Sequence, residues 1–534
     1  MGQVSSLLWG PSWTPSRQIR IENGLIEGKR FEVENNLTVD AFLGIPFAKP
    51  PVGPLRFKKP EPAENWEGVR DCTKFGARCP HEDISIERLT VFHPKSEDCL
   101  FLNVFTPVTS NPNDEQEKLP VAVFIHGGAF AVHSSAHYGD YGICKILCSK
   151  NIIVVTIQYR LGFFGFLSTG DEHCPGNFGL WDQTLALKWV QNNIHSFHGD
   201  PNNVTLFGQS AGGASVDFLS LSPHSKTLFH KMMPMSGTSL CSFANNDPEH
   251  IRELSLKYAL RHGYIPPADK NQSVQNAALV EFFRQLPASS CELNILGPNN
   301  DGRVDLTPVF DNDFFPKPLA ELRKELVPVP TMTGVTKTEG LLFTGLILFR
   351  IWQRQSLTTA IKPPRGSFKE EIRRQIIFEF QKRWIHDHTR EKEVFDLYLS
   401  EAKRDRRSYM EACLALISEL IISNGVYELA DFLTHKGGEV YLYSFDYYNP
   451  YGFGLAGFMF PFKSSTHCSE IPYLFGRGLI SNFSPNQNDL QMIEMFSTYF
   501  TNFVKYGNPN GKVPKVEEKW KPLHRSNTKS ILLN

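Results

Sequence analysis

The stretch FGQSAGGA, Phe207 to Ala214, sets Ser210 between Gly208 and Gly212, where one sequence pattern ends and another begins. Before it, NVTLFG (Asn203 to Gly208) is short, apolar and bounded by polar residues, the signature of a buried strand. After it, ASVDFLSL begins a helical pattern. A Gly-x-Ser-x-Gly run is weak by itself, and a glycine-rich turn with an incidental serine is the competing reading. Strand before and helix after are the context of a nucleophile elbow, a sharp turn that strains the serine backbone and leaves room only for small neighbours. Gly208, Ala211, Gly212 and Gly213 meet that demand.

Working outward, VAVFI (Val121 to Ile125) and IIVVTIQY (Ile152 to Tyr159) are β-branched and apolar with almost no alternation, as in strands covered on both faces. GLWDQTLALKWVQNNI (Gly179 to Ile194) carries Leu180, Leu187, Val190 and Ile194 at helical spacing. Strand and helix alternate through this region, which predicts a doubly wound α/β sheet. Towards the N-terminus, Ile19 to Ala48 reads as an antiparallel hairpin or meander, and Cys99 to Pro107 as a strand ended by proline. Beyond about residue 240 the pattern is mostly helical. IRELSLKYAL (251–260), ALVEFFRQL (278–286) and FKEEIRRQIIFEFQKRW (368–384) are the amphipathic candidates there. Val329 to Val335 and Glu439 to Phe445 interrupt them as strands, and Met492 to Gly507 is a last helix stopped by glycine. The organisation expected is an N-terminal tail, 1–18, followed by one α/β domain, 19–534.

Composition bounds the function. Apolar residues make up 41% of the 534 and charged residues 21%, enough core and too little charge for disorder. Lys plus Arg number 55 against 56 Asp plus Glu, so no net field favours nucleic acid. No apolar run reaches the roughly 18 residues of a membrane span, which predicts a soluble chain with no transmembrane segment. Oligomeric state has no signature here. The start MGQVSSLLWGPSWTPSRQ lacks a basic region followed by an apolar one, so a cytoplasmic protein is expected. Gly2, with Ser6 four residues later, fits the N-myristoylation template, and one such chain gives only weak, reversible membrane contact.

A serine hydroxyl needs a base, and the intermediate of its attack needs donors for an oxyanion. HGGAF (His126 to Phe130) follows the strand Val121 to Ile125 and is a loop of the kind whose backbone N–H groups line an oxyanion hole. Gly128 and Ala129, with Ala211 just after the serine, are the expected donors. Seventeen histidines leave the base open on chemistry alone.

The segments EDCLFLNVFTP (Glu97 to Pro107), HGGAF, QYRLGFFGFL (Gln158 to Leu167), GNFGLWDQTLALKWVQNNI and DPNNVTLFGQSAGGASV (Asp200 to Val216), in that order, resemble the type-B carboxylesterases, cholinesterase-like α/β hydrolases. The resemblance runs from GIPFAKPPVGPLRF (Gly44 to Phe57) into the last third. It implies an α/β-hydrolase fold with helical insertions over the site, and a triad in the order Ser, Glu, His. TGVTKTEG (Thr333 to Gly340) resembles the segment bearing the acid, which makes it Glu339; THCSEIPYLFG (Thr466 to Gly476) resembles the one bearing the base, which makes it His467. These lie so far apart in the chain that only the fold brings them together. The implied activity is hydrolysis of small carboxylic esters through an acyl-enzyme, with no metal or organic cofactor. A non-catalytic binding member of the fold, or an amidase or lipase on the same triad, are the alternatives.

Departures from the family pattern narrow the substrate. Gln209 precedes the serine where cholinesterases carry glutamate, and Leu89 stands where they place the tryptophan that stacks on choline, so uncharged esters are expected. Cys468 follows His467 where glycine is usual, and Ala129 replaces a third glycine. The resemblance pairs Cys79 with Cys99, although a cytoplasmic location predicts thiols. It makes Arg56 with Glu97, and Arg160 with Asp182, buried ion pairs, and gives His126 and His133 a shaping role beside the oxyanion loop.

Overall fold

The structure, a computed structural model, describes residues 11–83, 91, 93–108, 117–295, 297–298, 304–343, 393, 396–398, 406–450, 452, 460, 463–478, 483–512, 519–524 and 531–533. Among them, one sheet is built from β1 (Thr14–Pro15), β2 (Lys29–Glu32), β3 (Thr38–Pro46), β4 (Phe101–Pro107), β5 (Leu119–Ile125) and β6 (Ile153–Ile157). It continues with β7 (Gly199–Gln209), β8 (Lys231–Met235), β9 (Thr331–Thr336), β10 (Val440–Phe445) and β11 (Ile531–Leu533). The order across it is β1-β2-β3-β4-β6-β5-β7-β8-β9-β10-β11. From β1 to β6 neighbours run antiparallel. From β6 onward every pairing is parallel. A separate small sheet joins Ile19–Ile21 and Gly24–Glu27 as a hairpin, with Val69–Asp71 alongside.

The central strands are buried on both faces, which explains their unbroken apolar character. Successive residues of β5 point to opposite cores. Val121, Val123 and Ile125 belong to one, with Leu180, Leu187 and Val190 of helix α1 (Phe178–Asn193) and Val216 and Phe218 of α2 (Ala211–Leu221). Ala122 and Phe124 belong to the other, with Phe496, Phe500 and Phe503 of a long C-terminal helix. This is the doubly wound α/β-hydrolase architecture.

Several expected boundaries move. The tail expected to reach residue 18 already contributes β1, whose Thr14 lies opposite Arg30 and Pro15 opposite Lys29; Gly2 falls outside the described residues. Strand β8 has no alternating signal, and Pro234 in its middle argues against a strand. Here Pro234 sits opposite Gly208, and its carbonyl accepts from the Thr333 hydroxyl at 2.6 Å. The helices expected at 251–260 and 278–286 are Pro248–Arg261 and Gln272–Gln285, while the candidate at 368–384 lies outside the described residues. The C-terminal helix spans Gln487–Tyr506 and starts before Met492 because Asn486 and Asp489 form a capping box.

One expectation on apolar runs needs correction. Met410–His435 is one helical stretch with mean hydropathy 1.4 over its most apolar window, long and apolar enough by composition to cross a membrane. Two thirds of that window is buried, and its second half, α3 (Asn424–His435), packs on β9 and β10. A core helix passes the same compositional test.

Candidate active site

The functional candidates stand where strands β5, β7, β9 and β10 end and their following loops begin. Ser210 follows β7 with φ 61° and ψ −124°, a left-handed backbone that an L-residue holds at a cost of about 1–3 kcal/mol. The turn is held from both sides: the Ser210 N–H donates to Met235 O at 2.9 Å, and its carbonyl accepts from Ala214 N at 2.9 Å. Space dictates the glycines. A Cβ on Gly212 would lie 2.1 Å from the Ile125 carbonyl oxygen, and one on Gly237 2.1 Å from the Ser210 carbonyl oxygen. One on Gly208 would meet the Gly212 backbone at 2.5 Å. The turn therefore packs backbone against backbone.

Glu339 and His467, distant in sequence, meet at 2.6 Å between Oε2 and Nδ1. Both are buried, at 0% and 3% exposure. The other carboxylate oxygen of Glu339 accepts from Thr336 N at 2.6 Å and Ser236 Oγ at 2.7 Å. His467 therefore faces the carboxylate with Nδ1 and turns Nε2 away from it towards another partner. The two loops are stitched together. Thr338 N donates to Ser465 O at 3.2 Å, and Leu342 N to Thr466 Oγ1 at 2.8 Å. From behind, Gly340 N donates to Ser418 Oγ at 2.8 Å, so the Met410–His435 helix braces the acid. Phe343 covers the imidazole with ring centroids 5.1 Å apart.

A second carboxyl lies in this cluster. Glu470 is buried, its Oε1 3.5 Å from Ser236 Oγ. Burial first, and the neighbouring Glu339 charge second, push its acid up to about 8. At neutral pH it is mostly protonated and adds little negative charge beside the Glu339–His467 pair.

The loop after β5 packs on the elbow. A Cβ on Gly127 would fall 2.6 Å from Gln209 O and 3.1 Å from Ser210 Cβ. Gly128, Ala129 and Phe130 turn through φ of 106°, 55° and 57°, and the Ala131 and Val132 N–H groups both close on Gly128 O at 3.0 Å. That turn leaves the N–H groups of Gly128 and Ala129, like that of Ala211, without a protein acceptor among the described residues. His126 lies beneath the loop: its Nδ1–H donates to Gly127 O at 2.8 Å and its ring stacks on Tyr159 at 4.5 Å. Burial holds its basicity well below the ordinary imidazole value, followed by the neighbouring His133. His133 stacks on His137 at 3.8 Å.

Arg160 and Asp182 form a fully buried bidentate pair, 2.7 and 2.8 Å. Arg56 pairs with Glu97 and also donates to the carbonyls of Phe283, Arg284 and Leu286, clamping a helix end. Cys79 and Cys99 are bonded, with 2.13 Å between sulfurs, against the expectation of thiols. That expectation rested on compartment, whereas the fold places the two Cα atoms 5.0 Å apart, within bonding reach. Leu89 lies outside the described residues. Among the described residues no group of three His, Cys, Asp or Glu is arranged to hold a metal ion. A cavity of about 1280 Å³ opens beside the acid's loop, lined by Thr336, Thr338, Ser418, Tyr427 and Asp446 among others, but not by Ser210 or His467.

Sequence reading missed Ser236, Thr336 and Glu470. Glu470 stood in the segment quoted for the base, three residues beyond His467, and its depth was the missing signal. Ser236 follows the strand that Pro234 concealed.

The sequence pattern of the carboxylesterase family matches residues 15–534. The chain is 41% identical over 507 residues to Esterase cest-33 of Caenorhabditis elegans, covering 92% of this chain and 86% of the relative. It is 35% identical over 498 residues to a medium-chain fatty acyl-CoA hydrolase precursor of Anas platyrhynchos, covering 89% and 81%. To the Cocaine esterase of Homo sapiens it is 33% identical over 490 residues, again covering 89% and 81%.

Proposed function

This chain belongs to the carboxylesterase family and hydrolyses carboxylic esters, and we propose that it does so through an acyl-enzyme on Ser210, with His467 as base, Glu339 as its orienting acid, and uncharged esters as substrates. The observation that carries the reading is the 2.6 Å contact of Glu339 Oε2 with His467 Nδ1, which orients the ring with Nε2 on the side away from the acid. Ser210 Oγ bonds to the ester carbonyl carbon as its proton passes to Nε2. The carbonyl oxygen becomes an oxyanion and takes the unused N–H groups of Gly128, Ala129 and Ala211. The intermediate collapses, the C–O bond to the alcohol breaks, and His467 returns the proton to the leaving oxygen. Water, deprotonated by the same nitrogen, then attacks the acyl carbon; the bond to Ser210 Oγ breaks, His467 returns the proton to that oxygen, and the acid is freed.

Neutral Gln209 beside the nucleophile supports an uncharged substrate, since no carboxylate waits there for a cation. The name of the Anas platyrhynchos relative extends the substrates to test to thioesters, which Ser210 would attack in the same way. The experiment compares wild type with Ser210→Ala on nitrophenyl esters of increasing acyl length and on medium-chain acyl-CoA, with mass mapping after organophosphate treatment. The adduct is expected on the Ser210 peptide, with turnover lost in the variant; retained turnover would refute the assignment.

Gly2 and Ser6 support N-myristoylation and a cytoplasmic, reversibly membrane-bound enzyme. The Cys79–Cys99 bond pulls the other way, because disulfides persist in oxidising compartments. Peptide mapping without reductant reads both: an acylated Gly2 with free thiols upholds the cytoplasmic reading, and an unmodified N-terminus with the bond intact overturns it.

A further inference from the structure

The pair beside the base has no counterpart in the mechanism above. Gln209 is buried, at 2% exposure, and its side-chain nitrogen lies 3.3 Å from His467 Nε2. Its side-chain oxygen accepts from the Cys468 thiol at 3.2 Å. Cys468 directly follows the base and holds a left-handed φ of 73°, a backbone that glycine adopts without strain. Burial first, then the nearby Glu470 and Glu339, keep this sulfur as S–H, so it is a donor.

An amide has a donor end and an acceptor end. In the orientation seen, Gln209 gives an N–H to the lone pair of neutral His467 and takes the thiol proton. Once His467 holds the serine's proton, its Nε2–H faces that N–H, donor against donor. Turning the amide end for end puts its oxygen on Nε2–H and its nitrogen against sulfur, which is a weak acceptor. A glutamate here, ionised, would accept from the imidazolium and have nothing to give the neutral ring.

We infer that Gln209 is a positioning residue for the base, its carboxamide turning over as His467 gains and loses its proton, with Cys468 the partner that serves both orientations. The inference rests on the triad proposed above. Because S–H to oxygen is a better bond than N–H to sulfur, the pair favours the neutral, reactive imidazole. The titratable groups packed around His467 and Cys468 are Glu339, Glu470 and Tyr138, with Tyr443 beside the two carboxyls. Burial raises both tyrosines and Glu470, so near neutrality these three add little charge to the cluster.

The test is kcat/KM against pH on a neutral nitrophenyl ester for wild type, Gln209→Glu, Cys468→Gly and Cys468→Ser. The acid limb is expected to move to higher pH by about one unit in Gln209→Glu, where a carboxylate stabilises the imidazolium. Cys468→Gly should shift it the same way by a few tenths, and so should Cys468→Ser, whose hydroxyl accepts as well as it donates and so serves both amide orientations without the bias that sulfur gives. If Gln209→Glu does not fold, the glycine and serine pair decides alone. Coincident acid limbs in all four proteins overturn the inference, while an active Ser210→Ala overturns the triad itself; the two failures are distinguishable.

Discussion

The turn at Ser210 and the turn at Cys468 both hold a non-glycine residue at positive φ, 61° and 73°, by opposite means. At the elbow the constraint is an absence of side chains. Gly208, Gly212 and Gly237 let three backbones close to distances at which any Cβ would collide. At the base the constraint is their presence: Ser469 Oγ accepts from Thr466 N at 2.8 Å, Glu339 takes Nδ1, and Gln209 takes the thiol. Glycines position Ser210, and polar side chains position His467. Damage to the first should therefore cost the fold and damage to the second the chemistry.

The largest effect expected is from Gly212→Ala, which forces a methyl onto the Ile125 carbonyl. It should lower stability by on the order of 3 kcal/mol or more and remove activity, read as a collapsed denaturant midpoint together with lost turnover. A stable, active variant would break the comparison at its first term. Glu339→Gln sits at the other pole. It should lower kcat by roughly ten-thousand-fold through the wrong imidazole tautomer while the thermal midpoint moves little. A drop in kcat of less than tenfold would mean that Glu339 does not orient the base.

Glu470→Gln acts on stability through pH. The fold raises this acid from 4.5 to about 8, so the folded chain keeps a proton that the unfolded chain releases. Its stabilising effect is complete below about pH 4.5 and is lost as pH rises through about 8. The glutamine variant should flatten the fall in stability between these limits in urea titrations at stepped pH; an unchanged slope would place the dependence elsewhere. The smallest effect is that of Cys468→Gly on stability. Relief of the left-handed strain and loss of the thiol contact nearly offset, and the midpoint should change by less than about 1 kcal/mol. A cost as large as that of Gly212→Ala would show that the base loop is also built on backbone packing.

The legible part of the molecule follows the same division. The strands at 121–125 and 152–159, the helix at 179–194 and the serine turn were readable because their signals are local: unbroken apolar runs, helical spacing, glycines around a serine. Strand β8 was not, since Pro234 contradicts the local signal and its place comes from Gly208 and Thr333 on neighbouring strands. The start of the last helix was written in Asn486 and Asp489 but lay ahead of the apolar pattern that drew the boundary.

What the sequence determined by itself is the serine turn, the glycine loop after β5 and the alternation of strand and helix, each a property of a few adjacent residues. Glu339 and His467 were named by likeness to a family, for nothing within either segment distinguishes one acid or one of seventeen histidines as the partner. Tertiary structure alone decided that Ser236 and the Thr336 amide hold the acid, that Glu470 lies deep enough to keep its proton, and that Gln209 spans from Cys468 to the base. Hydrogen-bond partners and burial depth depend on which segments the fold brings within 3 Å or so, a length set by packing of distant chain and not by neighbouring residues.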